Sequence, residues 1–386
     1  MDTCFSCFCS SSYSFSLFSS LTSSGVKVSL ISGISCACLA FSLMVHPSAF
    51  IKYSLTLSYQ ETTSLVHKLE KLTGISLLFT HSFLRYNTNM KNTKLVLLGT
   101  GTPNACPDHS GPVSAVIVNN KAYLIDFGPG VVRQASRAYF KGIDALRPDR
   151  LDIAFCTHLH TDHTTGLPDL IYTPWVLERE KPLKLYGPAG LSDMAHHIEK
   201  AYSADLDMRL NGDEPANPTG YKTEVTELQP GREDYGIIYE DENVRVNAFT
   251  VKHGRLQSLA YRFMTDEGII VISGDTAPVP IMIEKAMNAD ILLHECQYEQ
   301  GLSARTPQWQ IYHRNVHTMS TDLAHIAIKA RPALVVTYHR IYHMNILDNT
   351  IDLNKEMAIR NEKILQEIRS AGYDGPVING QDLDVF

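Results

Sequence analysis

The stretch Thr157-His158-Leu159-His160-Thr161-Asp162-His163 places three histidines and an aspartate within six residues. Imidazole and carboxylate are the ligands that zinc and similar divalent ions select. One zinc needs only three protein ligands and an open position, so the surplus argues for a second ion. Asp162 and His163 are adjacent and cannot easily join the coordination sphere of His158 and His160. A loop, however, can turn them toward a different metal. The chain holds 16 histidines in 386 residues, a high share, and here they cluster.

These residues need a scaffold that brings distant parts of the chain to one place. Four apolar runs end in metal-type residues: Leu151 to Cys156 runs into His158, Val244 to Val251 into His253, Gly268 to Ser273 into Asp275, and Ala333 to Thr337 into His339. Strands with such residues just past their ends predict one site at one edge of a sheet, where ligands of open α/β sheets gather. Ser114 to Val118 and Ala122 to Phe127 flank Asn119-Asn120-Lys121, a hairpin signal with residues that tolerate positive φ. Helical patterns fill Val131 to Phe140, Leu191 to Tyr202, Thr321 to Arg331 and Ile351 to Ala371, and Pro376 to Phe386 reads as a closing strand. Asp205 to Gly231, rich in Asn, Gly, Pro and charge, reads as a surface loop. Gly99-Thr100-Gly101 reads as a turn leaving a strand; Asn104 stands where a dinucleotide fingerprint needs its third glycine. Cys156 reads as a small core residue, and three cysteines beyond residue 90 do not suggest a disulfide framework.

The histidine loop resembles the H-x-H-x-D-H signature of the metallo-β-lactamase superfamily. Asp126, in an Asp-x-Gly-x-Gly turn, is similar to the family's first motif, where the aspartate orders the metal loop. The resemblance covers the chain from Lys94 onward and is nearest to the branch of ribonuclease Z and the zinc-dependent arylsulfatases. Tyr186-Gly187-Pro188, Leu293-His294-Glu295 and His317-Thr318 follow that branch's order. It implies an α/β fold, the four-layer αββα sandwich. It also implies two divalent ions, zinc or alternatively manganese. The first would take His158, His160 and His253; the second would take Asp162, His163 and His339, with Asp275 and a hydroxide between them. The branch's pattern would put the last histidine directly after Thr337, where Tyr338 stands, and His343 competes with His339 for the role. Asp162 would accept or orient the nucleophile's proton, and His317 resembles the branch's leaving-group acid, although a capping role is open to it. His294-Glu295 would stand behind the ligands.

Residues 1–89 are a different kind of sequence and are read as an N-terminal low-complexity extension to a hydrolase domain at 90–386. Thirteen of the first 35 residues are serine, and Cys4, Cys7 and Cys9 cluster there with Cys36 and Cys38 following. Residues 28–51 hold no Asp, Glu, Lys or Arg, a length able to cross a bilayer. Thr63 to Lys71 could form a short amphipathic helix. Met90 directly precedes the first strong strand, so the extension is either a leader or anchor, or untranslated. A start at Met90 would make the protein cytoplasmic; a native extension would make it membrane-anchored or exported.

The net charge is −7. Residues 1–89 hold five bases and three acids, leaving 29 bases against 38 acids beyond them. No global basic field draws this chain to nucleic acid. Ribonuclease Z usually clasps tRNA with an arm between its third-histidine strand and the Ser-Gly-Asp-Thr motif. Here only 21 residues separate His253 from Asp275, and they read as a tight hairpin through Asp266-Glu267-Gly268. The favoured partner is therefore a small phosphodiester or sulfate ester, with Leu167 to Trp175 as an apolar pocket lining in which Trp175 fits the core equally well; tRNA 3′-end cleavage is the alternative. The full Asp-His set disfavours lactam cleavage. A metal-binding protein without catalysis is a third class, against which the complete ligand set argues. A homodimer is expected by analogy alone.

Overall fold

The computed structural model describes residues 92–386, together with the backbone of four strands nearer the N-terminus. These strands, β1 (Phe15–Ser16), β2 (Lys27–Ser32), β3 (Cys38–His46) and β4 (Ala49–Thr56), pair antiparallel in chain order within a unit of their own. The apolar run 28–51 thus takes strand backbone where it is described. Among the described residues no helix is long and apolar enough to cross a membrane. The Cys4, Cys7 and Cys9 cluster, the helix expected at Thr63 to Lys71 and Met90 lie outside the described residues.

The second unit is built on two sheets. The six-stranded sheet runs β5 (Thr93–Gly99), β6 (Val113–Val118), β7 (Lys121–Ile125), β8 (Ile153–Phe155), β9 (Leu183–Pro188) and β10 (Thr223–Leu228) in sequential order. The hairpin between β6 and β7 turns at Asn119 and Asn120, whose φ values of 49° and 62° match the primed turn that strand twist favours. The seven-stranded sheet runs β11 (Asp234–Glu240), β12 (Arg245–His253), β13 (Leu256–Met264), β14 (Ile269–Ile272), β15 (Ile291–Gln297), β16 (Leu334–Ile341) and β17 (Val377–Asn379).

Side-chain alternation decides how these sheets stack. On β5, Leu95 and Leu97 enter the core between the sheets, where they join Phe155, Tyr261, Phe263 and Leu293. Val96 and Leu98 face the other way and pack with α1 (Val131–Phe140), α3 (Leu167–Val176) and α4 (Leu191–Ala201). Both faces are buried, so β5 reads as a continuous apolar run. Beyond the second sheet, α6 (Pro280–Lys285) and α9 (Ser320–Ala330) cover Phe249, Val271 and Leu292. Helix α9 also packs with α10 (Leu353–Ser370) over Val335. The result is the four-layer αββα sandwich.

The stretch from Asp205 to Gly231 departs from the loop expectation. It holds most of α5 (Ser203–Asn211), anchored by buried Leu206, and then β10, which pairs parallel with β9 over six residues. An edge strand buries little, so the polar composition of Thr223–Leu228 concealed it.

The C-terminal turn ties these layers together near the loop after β5. Asp382 accepts from Thr100 N (2.8 Å), Thr100 Oγ1 (2.8 Å), Ser110 N (2.8 Å) and Gln134 Nε2 (2.9 Å). Burial opposes its charge, but His109 and the Ser110 and Thr100 donors outweigh that and hold the carboxyl below its ordinary value. A carboxyl depressed by folding contributes stability above its unfolded pKa of about 3.9, and loses it as pH falls through the folded value. Urea titrations of wild type and Asp382→Asn from pH 7 to pH 3 test this: the wild-type advantage should be full near neutrality and shrink below about pH 4. A constant difference across that range would contradict it.

Candidate metal centre

The site forms where both sheets present the same kind of strand end. Strand β12 is antiparallel to β13 and β13 to β14, while β14, β15 and β16 are parallel. The C-terminal ends of β12, β14, β15 and β16 therefore share one edge. The six-stranded sheet supplies the rest, through the turn after β7 and the loop after β8. One edge of one sheet is thus too simple a description.

Asp126, just past β7, has a φ of 62° and accepts from Thr157 N (2.7 Å), Thr157 Oγ1 (2.9 Å) and His163 Nδ1 (2.8 Å). A Cβ on neighbouring Gly128 would lie 2.5 Å from the Asp162 carbonyl oxygen, so only glycine lets the turn lie against the histidine loop. From the opposite sheet, Leu259 N donates to Thr157 O (2.9 Å) and Tyr261 Oη to Cys156 O (2.6 Å). Cys156 itself is buried, with Sγ against His158 O, as a core residue rather than a donor to the site. The loop is closed by a single helical turn, α2 (Thr161–Thr164), that carries Asp162 and His163.

The seven residues expected as ligands, His158, His160, Asp162, His163, His253, Asp275 and His339, converge here. His158, His160 and His253 form one donor group; Asp162, His163 and His339 form another; His158, His163 and Asp275 a third that joins them. His160 Nδ1 lies 3.0 Å from His158 Nε2 and 3.1 Å from His253 Nε2. Asp162 Oδ2 lies 3.2 Å from His339 Nε2 and 3.5 Å from His163 Nε2. Asp275 stands between the groups, its Oδ1 3.6 Å from His163 Nε2 and its Oδ2 3.5 Å from His339 Nε2 and 4.0 Å from both His158 and His253. Ligand atoms on a zinc tetrahedron stand roughly 3.3 Å apart, as its bond lengths require.

The hydrogen bonds also set tautomers that suit a metal. His163 Nδ1 meets Asp126, His253 Nδ1 meets Val316 O (2.7 Å), and His158 Nδ1 meets Thr157 Oγ1 (3.0 Å), whose own proton goes to Asp126. At His158 and His253 Nδ1 therefore carries the hydrogen and Nε2 offers a lone pair inward. At His163 burial opposes the charge, but Asp126 and Asp275 push the imidazole well above its ordinary value, so a cation takes the place of its Nε2 proton. His163 Nε2 and Asp275 Oδ1 are buried with no hydrogen-bond partner in the protein. Burial and neighbouring His163 hold His158 well below its ordinary value, so it is a neutral imidazole. Burial opposes the Asp275 charge, yet His339 and His163 hold its carboxyl well below the usual range. The donor set fits divalent cations.

His339 reaches the cluster through a backbone irregularity. Glu295 pairs with Tyr338 and Cys296 with Arg340, so His339 is the extra residue of a bulge, with a φ of 44°. A bulge re-aims a side chain. Tyr338 drops into the core between the sheets, and His339 takes the place that the branch's pattern reserves for the residue before it. His343 instead has Nε2 3.0 Å from Gln297 Oε1 and joins none of the donor groups.

His317 follows α8 (Pro307–Val316), with its Nδ1 3.0 Å from Glu295 Oε1 and 3.9 Å from Asp275 Oδ2. Glu295 Oε1 also accepts from Thr276 N (3.1 Å) and Thr318 N (3.2 Å). Burial and the nearby Asp275 push the Glu295 carboxyl up. The sequence joins Glu295 to His294 and does not show that it meets His317; a carboxylate on a strand buried along its whole length was the available signal. Thr157, the link from His158 to Asp126, was likewise missed. Trp175 is 2% exposed, with Nε1 donating to Asn217 O (2.9 Å), so it belongs to the core rather than to a substrate pocket.

Residues 121–348 match the family described as "Beta-lactamase superfamily domain". The ribonuclease Z of Mycobacterium marinum is 27% identical over 257 residues, covering 64% of this chain and 86% of that protein. Among solved structures, the short form of human tRNase Z superposes with a TM-score of 0.55 at 21% identity, covering 76% of this chain and 98% of that one. The metallo-β-lactamase fold protein YhfI from Bacillus subtilis gives 0.53 at 16%, covering 77% and 99%. Both structures share the fold.

Asp126 contacts no other part of the donor set than His163, and it fixes the loop through Thr157. Asp126→Asn should leave the chain folded and weaken divalent-ion affinity by about 10–100-fold, as loss of such supporting bonds does. Competition with a chelating dye measures it, and unchanged affinity would contradict the role.

Proposed function

Because the chain belongs to the β-lactamase superfamily, in its ribonuclease Z branch, we propose that it is a metal-dependent endoribonuclease cutting precursor tRNA at the 3′ end. The observation that carries this is the span of the ribonuclease Z match, 86% of that relative, which takes in most of an enzyme rather than a fragment of a fold. A small phosphodiester or sulfate ester, the substrate favoured by the sequence, finds no support among these relatives. The absent arm and the acidic balance spoke against tRNA. Both concern how RNA is held at a distance, and neither bears on the cut. The arm is indeed missing, since β13 and β14 close with Met264 opposite Ile269.

In this reading His158, His160 and His253 would hold one divalent ion, Asp162, His163 and His339 would hold the other, and Asp275 stands between the two groups. A nitrogen-rich donor set suits zinc. When bound, the ions supply Lewis acidity to a phosphodiester and make water a stronger acid near neutral pH. Asp162 takes or orients the proton of the attacking water. Glu295 fixes His317 through Nδ1, and burial lowers the ring to about 4, so Nε2 first takes up a proton from solvent and then delivers it to the departing ribose oxygen.

The test uses the full chain with zinc or manganese on a precursor tRNA, bis(p-nitrophenyl) phosphate and p-nitrophenyl sulfate. The expected result is a single cut at the tRNA 3′ end that His158→Ala abolishes. Turnover of either small ester with the tRNA left intact would overturn the proposal and restore the small-substrate reading.

A further inference from the structure

Without the arm, the RNA needs another hold near the cut, and α8 carries a feature that the chemistry above does not use. Trp309, Tyr312, His313, Val316 and His317 recur at the spacing of one helix face. Such a stripe usually lies against the core. Here its second half does: Val316 is buried and His317 meets Glu295. Its first half does not. Trp309 is 53% exposed and Tyr312 44% exposed.

The rings form a continuous series from solvent to the donor cluster. Trp309 and His313 have centroids 5.8 Å apart, His313 and His317 are stacked at 5.7 Å, and His317 and His339 are stacked at 6.0 Å. Tyr312 lies 5.5 Å from Trp309, edge to face. The charge beside this series is positive. Arg305 is exposed, and among the described residues no carboxylate stands in salt-bridge range of it. It lines a groove with Thr102, Arg340 and His343, and His343 in turn lies against His313 at 4.7 Å. In an otherwise acidic chain, exposed aromatic faces beside unpaired guanidinium suit a polyanion with flat rings.

We propose that the Trp309 and Tyr312 face of α8 is a stacking platform for the unpaired nucleotides that follow the scissile phosphate, with Arg305 facing their backbone. The inference rests on the ribonuclease reading and names where the single-stranded trailer lies. Trp309 and His317 are eight residue steps apart, roughly 12 Å at the rise of an α-helix. The first one or two nucleotides beyond the cut therefore fall short of Trp309, and later ones reach it.

Two measurements on the full chain test this. Trp309 and Trp175 are the only tryptophans, and Trp175 is buried, so quenching by an added octaadenylate reports on Trp309. Saturable quenching that Arg305→Ala weakens supports the platform; no quenching overturns it. Cleavage is then compared on precursor tRNAs with trailers of one and of ten nucleotides. Trp309→Ala should raise KM about tenfold on the long trailer, leave the short one unchanged, and be rescued by Trp309→Phe. Equal effects on both trailers, or none, overturn the proposal. So does loss of a dimer in Trp309→Ala with KM unchanged, which would assign the face to a second copy of the chain. A wild-type chain that cuts neither precursor removes the ribonuclease reading itself, an outcome distinct from a wild type that cuts both while Trp309→Ala behaves identically.

Discussion

Five imidazoles and two carboxylates face one another at a buried junction, and the protein offers them too few hydrogens. His163 Nε2 and Asp275 Oδ1 are out of water and make no hydrogen bond, standing 3.6 Å from each other. A buried polar atom left in that state costs on the order of 1–3 kcal/mol, and more for a charged one. Cations satisfy these lone pairs together, and the surrounding structure makes sense as the means of holding the donors for them. The parallel run of β14, β15 and β16 brings their ends level. Leu259 and Tyr261 clasp the loop of the opposite sheet. Asp126 fixes that loop from behind.

The same economy separates cutting from holding. Most of the fold's buried histidines and carboxylates lie in the donor cluster and in the pair Glu295 and His317. Between β13 and β14, where the resemblance led to the expectation of a clasp, the chain makes only a hairpin. On the ribonuclease reading proposed above, a hydrolase built this way keeps its chemistry while its grip on RNA lies elsewhere on the surface. Overall charge is a poor guide in that situation, because the screening length in a cell is only about 8 Å and the residues near the cut dominate.

Much of this architecture was legible because it rests on short-range rules. The Asn119-Asn120 turn, helix α1 and the helices after Gly190 and Met319 follow from local propensity and periodicity. The histidine loop is visible because its density has no comparable structural use. What escaped is what tertiary contact decides. Thr223–Leu228 forms a strand only because β9 offers an edge to pair with. His339 takes its place through a bulge opposite Glu295 and Cys296, and period-two counting cannot foresee an extra residue. Glu295 sits in an apolar strand, and its meaning appears only when His317, 22 residues later, folds back onto it.

The central claim is that one centre holds two divalent ions with Asp275 between them. Metal analysis of the full chain, equilibrated with zinc and freed of excess, tests it most directly. The account predicts two ions per chain, one in His339→Ala, and loss of tight binding at both positions in Asp275→Ala. A wild-type content of one ion, or two ions retained in His339→Ala, would contradict it.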